Sequence, residues 1–125
     1  MSQTPTMSHD PIDHEALEAI RDGVRSLCQQ YDGEYWRQID EVQGFPETFV
    51  TELTEAGWLG AMIPEAFGGS GLGLLEASVI LEEVNRCGGN AGFVHGQMYN
   101  MATLLKHGSE AQKSAILPKL ASGEL

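Results

Sequence analysis

Cysteine, basic side chains and long apolar runs are all scarce in this sequence, and each scarcity removes a class of protein. The two cysteines, Cys28 and Cys87, sit in no CxxC or Cys/His ligand spacing, so neither a disulfide framework nor a metal site is signalled and a reducing compartment fits. Lysine and arginine number 7 against 18 acids, for a formal net charge of -11. That balance repels phosphate backbones and anionic lipid, which excludes nucleic acid and the membrane surface as partners. No apolar stretch approaches the roughly 18 residues of a membrane span. Strand signals are missing as well, with no alternating Val/Ile/Thr run between turn residues. Met1 to Ile12 carries neither the apolar run nor the arginines of a targeting segment and is expected to be a disordered tail. A cytoplasmic, all-α protein without membrane contact is expected, with one domain over residues 13–125.

What is present is helical periodicity. The acidic excess lies in the first half, where residues 1–65 hold 13 acids and 3 bases, and reads as a solvated face. Leu17, Ile20, Val24, Leu27 and Tyr31 repeat at three-four spacing, predicting a helix from about His14 to Tyr31 with Asp13 as its cap. Asp32 to Gly44 is strongly charged and reads as a connector with a short turn of helix, its Tyr35 and Trp36 packing on the bundle. Pro46 suits the first turn of a short helix whose face is Phe49, Val50, Leu53 and Ala56, ended by Gly57. Leu74, Ala77, Leu81 and Val84 form the next stripe, with Glu76, Glu82 and Glu83 off it, until Gly88-Gly89. Asn90 can cap the following element. Between Ala91 and Leu105 there is no acidic or basic side chain apart from His95, and a helix apolar on nearly all sides belongs in the interior. Ser109 to Gln112 reads as a capping box opening a last helix that Pro118 limits or bends. Short joints between these elements predict an antiparallel bundle of about five helices.

The glycine-rich segment Gly68 to Gly73 invites a phosphate-loop reading, but it lacks the Gly-Lys-Ser/Thr ending, the GxGxxG spacing and a surrounding strand-helix-strand unit. A tight structural turn is the better expectation. Glu65 beside it reads as a cap or a solvated charge. His9, His14 and His107 show no ligand spacing and are expected to be solvated. Met98 and Met101 read as core filling.

At this loop a family resemblance becomes specific. Leu53-x-x-x-Gly57-Trp-Leu-Gly60, followed by Pro64-Glu-x-Phe-Gly-Gly-x-Gly-Leu72, resembles the amino-terminal signature of the acyl-CoA dehydrogenases. Glu82-Glu83 with Arg86 resembles the family's acidic pair before a basic residue. Gly108-Ser-Glu-x-Gln-Lys113 and Leu117-Pro-Lys-Leu-x-x-Gly-Glu124 resemble the run that closes the domain. The resemblance covers residues 14–125.

It implies an FAD-dependent enzyme that oxidises an acyl-CoA to a 2,3-enoyl-CoA and is a homo-oligomer when complete. The flavin contacts and the catalytic glutamate would lie in β and C-terminal helical domains beyond Leu125, so no catalytic and no metal-binding residue is expected in this chain. It also implies that the helix matching Ala91 to Leu105 forms one wall of the acyl pocket, with Ala91, His95 and Tyr99 as substrate-binding positions four residues apart on one face. The bulk and polarity of His95 and Tyr99 suggest a short, branched or functionalised acyl group. His95 is otherwise a core histidine bonded to a backbone carbonyl; an acid-base role is not expected without a partner carboxylate. The nearest alternatives are an acyl-CoA oxidase or flavin monooxygenase on the same bundle, or a non-catalytic helical interaction module.

Overall fold

The computed structural model describes residues 12–125, so nearly all of the expected tail lies outside the described residues. Those residues form six α-helices and one 3-10 turn, with no strand among them: α1 His14–Cys28, α2 Gly33–Glu41, α3 Glu47–Glu55, the turn Glu65–Phe67, α4 Leu74–Arg86, α5 Gly92–His107 and α6 Glu110–Ser122. Local chemistry sets many of the boundaries. The Asp13 carboxylate accepts the Ala16 N–H at 3.0 Å and opens α1. Asn90 accepts the Gly92 N–H at 2.9 Å at the start of α5. At α6 the capping box is complete, Ser109 Oγ accepting the Gln112 N–H at 3.1 Å and Gln112 Oε1 accepting the Ser109 N–H at 2.9 Å. Pro118 does not stop α6, which runs on to Ser122 and ends at Gly123 with φ +82°.

The helix beyond the expected five is α2, which forms where a connector is expected. Residues 33–41 form a full α-helix because Asp32 caps it, accepting the Tyr35 N–H at 3.0 Å, and because Tyr35 and Trp36 have aromatic partners. Tyr31 meets Tyr35 and Phe49 with ring centroids 4.8 and 5.3 Å apart, and Trp36 meets Phe49 at 4.9 Å, all edge to face. Edge-to-face pairs of this kind add to simple area burial. They tie α2 to the turn after α1 and to α3 despite its charged outer side.

The core has two parts. The larger joins Ile20, Val24 and Cys28 of α1, Phe49 and Leu53 of α3, Ala77, Ile80 and Val84 of α4, and Val94 and Met98 of α5. The smaller joins Ile63 with Met101, Leu117 and Leu120 where α6 folds back on α5 across the two-residue joint Gly108-Ser109.

Two expectations change. Ala56 is exposed rather than part of the buried face of α3. On α4, Leu74 is 77 % exposed while Glu83 is completely buried; the buried arc is wide, taking in Val79 and Glu83 as well as Ala77, Ile80 and Val84, because α4 is packed by both α1 and α5. Within the bundle the most extensive helix pair, α1 with α4, runs parallel. Its ion pairs advance in the same direction along both helices, Arg21 to Glu82 at 2.9 Å and then Arg25 to Glu83 at 2.8 Å. Two helices and a structured loop intervene between α1 and α4, so no short joint forces them to reverse.

Candidate functional site

The glycine loop is built as a turn. Five consecutive N–H groups are donated to backbone carbonyls: Gly68 to Glu65 at 3.0 Å, Gly69 to Pro64 at 3.2 Å, Ser70 to Gly60 at 3.3 Å, Gly71 to Ile63 at 2.8 Å and Leu72 to Ala61 at 2.7 Å. The next, Gly73, donates to the Glu76 carboxylate at 3.1 Å. A phosphate cradle requires unspent amides converging on an anion, and this run has none. Its role is to seal Gly60 to Ile63 against the body of the domain, where Leu59, Ala61 and Ile63 are buried.

The chargeless helix α5 is buried on one side only. Val94, Met98 and Met101 face the core, Ala91 at its amino end is buried too, and the opposite strip of His95, Tyr99, Gly92, Thr103 and Asn100 is exposed, with Gly96 half-buried at its centre. An interior rod is expected for such a helix; among the described residues only α4 and α6 pack extensively on it, and two neighbours cover one face. His95 and Tyr99 stand side by side with ring centroids 5.2 Å apart. Ala91 lies one turn before His95. The structure therefore brings His95 and Tyr99 together in the open, which removes the reading of His95 as a core histidine. Beside this strip runs a groove of about 410 Å³ whose lining includes Phe45, Val50, Leu59, Phe93, Gly96 and Asn100, with Phe45 and Phe93 meeting edge to face at 4.7 Å. Spacing alone did not point to this groove, because Phe45 and Phe93 reach it from different elements.

A second polar arrangement escapes an apolar-stripe reading altogether. The buried Glu83 carboxylate accepts from Arg25 Nε at 2.8 Å and from Arg86 Nη1 at 3.4 Å, and its other oxygen, without a hydrogen-bond partner, has Arg21 Nη1 at 3.9 Å. The hydrogen bond and charge of Glu83 hold the Arg25 guanidinium above its ordinary range. A buried carboxylate is tolerated only while cations face it. Glu83→Gln, which removes the anion and leaves three solvent-reachable guanidinium groups, is expected to cost about 1–3 kcal/mol in stability. Arg25→Ala, which keeps the buried charge but removes its shortest contact and leaves only Arg86 at 3.4 Å and Arg21 at 3.9 Å, should lower the melting temperature further than Glu83→Gln does. Thermal melts of the two variants check this, and the reverse order would show that the carboxylate is held by something other than its arginines.

The family model described as "Acyl-CoA dehydrogenase, N-terminal domain" matches residues 14–124, from the first residue of α1 to just past the end of α6. The chain belongs to the acyl-CoA dehydrogenase family. It is 36% identical over 114 residues to isovaleryl-CoA dehydrogenase, mitochondrial, of Pongo abelii, covering 88% of this chain and 27% of that protein. It is 39% identical over 115 residues to (2S)-methylsuccinyl-CoA dehydrogenase of Cereibacter sphaeroides, covering 89% of this chain and 21% of that protein. A protein named probable acyl-CoA dehydrogenase FadE25, of Mycobacterium tuberculosis (strain H37Rv), is 29% identical over 110 residues, 86% of this chain and 28% of its own length. The chain thus spans about a quarter of the length of these curated relatives.

The glycine loop is closed on itself, its amides donated to its own neighbours, and Glu83 is held by its own arginines. The loop does not fit the phosphates of a flavin dinucleotide, since every amide it could offer is already donated. The α5 strip is the part left open. No helix among the described residues is long and apolar enough to cross a membrane.

Proposed function

We propose that this acyl-CoA dehydrogenase domain serves an FAD-dependent enzyme oxidising an acyl-CoA thioester to the 2,3-enoyl-CoA, and that α5 forms one wall of its acyl pocket through Ala91, His95 and Tyr99. The observation that carries the reading is the exposed, uncharged strip on α5. Leaving Tyr99 55 % exposed and an open-faced glycine, Gly96, in mid-helix costs stability in the domain by itself. Both are accounted for when an apolar chain lies against the helix. On this reading residues 13–125 are the amino-terminal helical domain, β and C-terminal helical domains supply the flavin contacts and the catalytic glutamate, the complete protein is a homo-oligomer, and the isolated chain is inactive. A cytoplasmic location belongs to the same proposal and is supported by the low cysteine content.

His95 and Tyr99 narrow the pocket and give it polar edges, which suits a short, branched or functionalised acyl group. The names of two relatives, isovaleryl-CoA and (2S)-methylsuccinyl-CoA dehydrogenase, point in the same direction. The paired substitution His95→Ala and Tyr99→Leu in the complete enzyme is expected to shift its kcat/KM profile across a panel of acyl-CoA thioesters toward longer chains. The shift should be about tenfold or more, the discrimination that one methylene carries in an apolar pocket, at unchanged flavin content. A profile that does not move would remove these residues from the pocket wall.

A further inference from the structure

The two cysteines, far apart in sequence, meet in the fold. Cys28 is the last residue of α1 and buried, and Cys87 follows the last residue of α4 and is half-buried. Because α1 and α4 run parallel, both sit at the same end of the most extensive helix contact in the domain. Both line one open recess of about 300 Å³, together with Arg25, Tyr31, Glu83 and Arg86. Burial and the neighbouring Cys87 push the Cys28 thiol up to about 12, with a thiol-to-thiol hydrogen bond contributing. Cys28 is therefore a poor first target for an electrophile, while Cys87 is reachable from the recess; the thiolate is the reactive form.

We propose that Cys28 and Cys87 are a reversible modification site, closing to a disulfide between the carboxyl ends of α1 and α4 when the protein meets hydrogen peroxide. In the first step the Cys87 sulfur attacks one peroxide oxygen, the O–O bond breaks, and Cys87 becomes a sulfenic acid while the departing hydroxide takes the thiol proton as water. In the second, the Cys28 sulfur attacks Cys87 Sγ, the S–O bond breaks, and the hydroxyl leaves with the Cys28 proton as a second water. Two thiols are oxidised by two electrons in all, and one peroxide is reduced to two waters. The division of roles follows from exposure, Cys87 reacting first and Cys28 resolving. A dithiol reductant reverses the bond by exchange. Gly88, at φ +89°, comes immediately after Cys87, so the tether also fixes the start of the joint that leads into α5.

The test treats the protein with hydrogen peroxide in modest molar excess and maps cysteines by non-reducing digestion and mass spectrometry. The expected product is a cross-linked peptide pair containing Cys28 and Cys87, two hydrogens lighter than its separate parts, with a raised melting temperature that dithiothreitol returns to its starting value. In Cys28→Ala, the sulfenic acid on Cys87 should persist and be captured by dimedone. In Cys87→Ser, Cys28 should stay reduced at the same peroxide dose. Wild-type protein in which Cys87 proceeds to sulfinic acid while Cys28 remains a thiol would overturn the proposal, as would disulfides found only between molecules. The wild-type mapping decides by itself if either variant fails to fold.

Discussion

Gly69→Ala is expected to lower the stability of the domain by about 3 kcal/mol or more, the range of substitutions that leave a buried clash, and so to drop its melting temperature by roughly 10 °C. A Cβ at this position would stand 2.0 Å from the Ile63 carbonyl oxygen and 2.5 Å from Ile63 Cβ. Neither can yield cheaply. The Ile63 carbonyl accepts the Gly71 N–H at 2.8 Å, and the Ile63 side chain is fully buried in the smaller core cluster against Met101 and Leu117. Relief requires the loop to lift, which breaks several backbone hydrogen bonds together. The same chemical change at Gly96 should have the opposite sign. Nothing stands within 4 Å of a Cβ there, and alanine in a helix interior is favoured over glycine by roughly 0.8–1.0 kcal/mol. Denaturant melts of the two variants side by side check the pair; a neutral Gly69→Ala would mean that the loop is not sealed as the hydrogen bonds imply.

Phe49→Ala is expected to cost about 3–5 kcal/mol, the range for truncating a buried aromatic. Phe49 is 1 % exposed and is the aromatic on which Tyr31 and Trp36 converge. Its removal opens a cavity and also unties α2, whose only hold on the core is aromatic. The loss should therefore appear in two observables, a lower melting temperature and a weakened near-ultraviolet signal from Trp36. Phe45, 53 % exposed and paired with Phe93 alone, is the control, and Phe45→Ala should cost roughly 1 kcal/mol or less. Equal losses at the two positions would refute the aromatic anchoring of α2.

What could be read beforehand was local. Asp13 and the Ser109–Gln112 box declare themselves because a cap is written within four residues, and Met98 and Met101 read as core because methionine fills irregular gaps. The glycine signature between Gly57 and Leu72 carried the family because a run of close backbone approaches tolerates few alternatives. The misses share a cause, which is that each depends on a partner distant in the chain. Glu83 looks like a solvent residue until Arg21 and Arg25 of α1 face it. Residues 33–41 look like a connector until Phe49 offers its ring to Trp36. The parallel course of α1 and α4, and with it the meeting of Cys28 and Cys87, leaves no mark in periodicity. Of the candidate site, the shared face of His95 and Tyr99 was legible, while the exposure of that face was not, since a count of charges does not reveal how many neighbours a helix has.

The pairing of α1 with α4 also governs the order of events during synthesis. Its charged contacts join residues 58 and 61 positions apart in the chain, so α1 leaves the ribosome with only α3 to pack on until α4 has emerged. Contacts that close such long loops form late, whereas α5 and α6 can zip together as soon as both exist. During synthesis the domain therefore passes through an interval in which α1 is the part most in need of shielding.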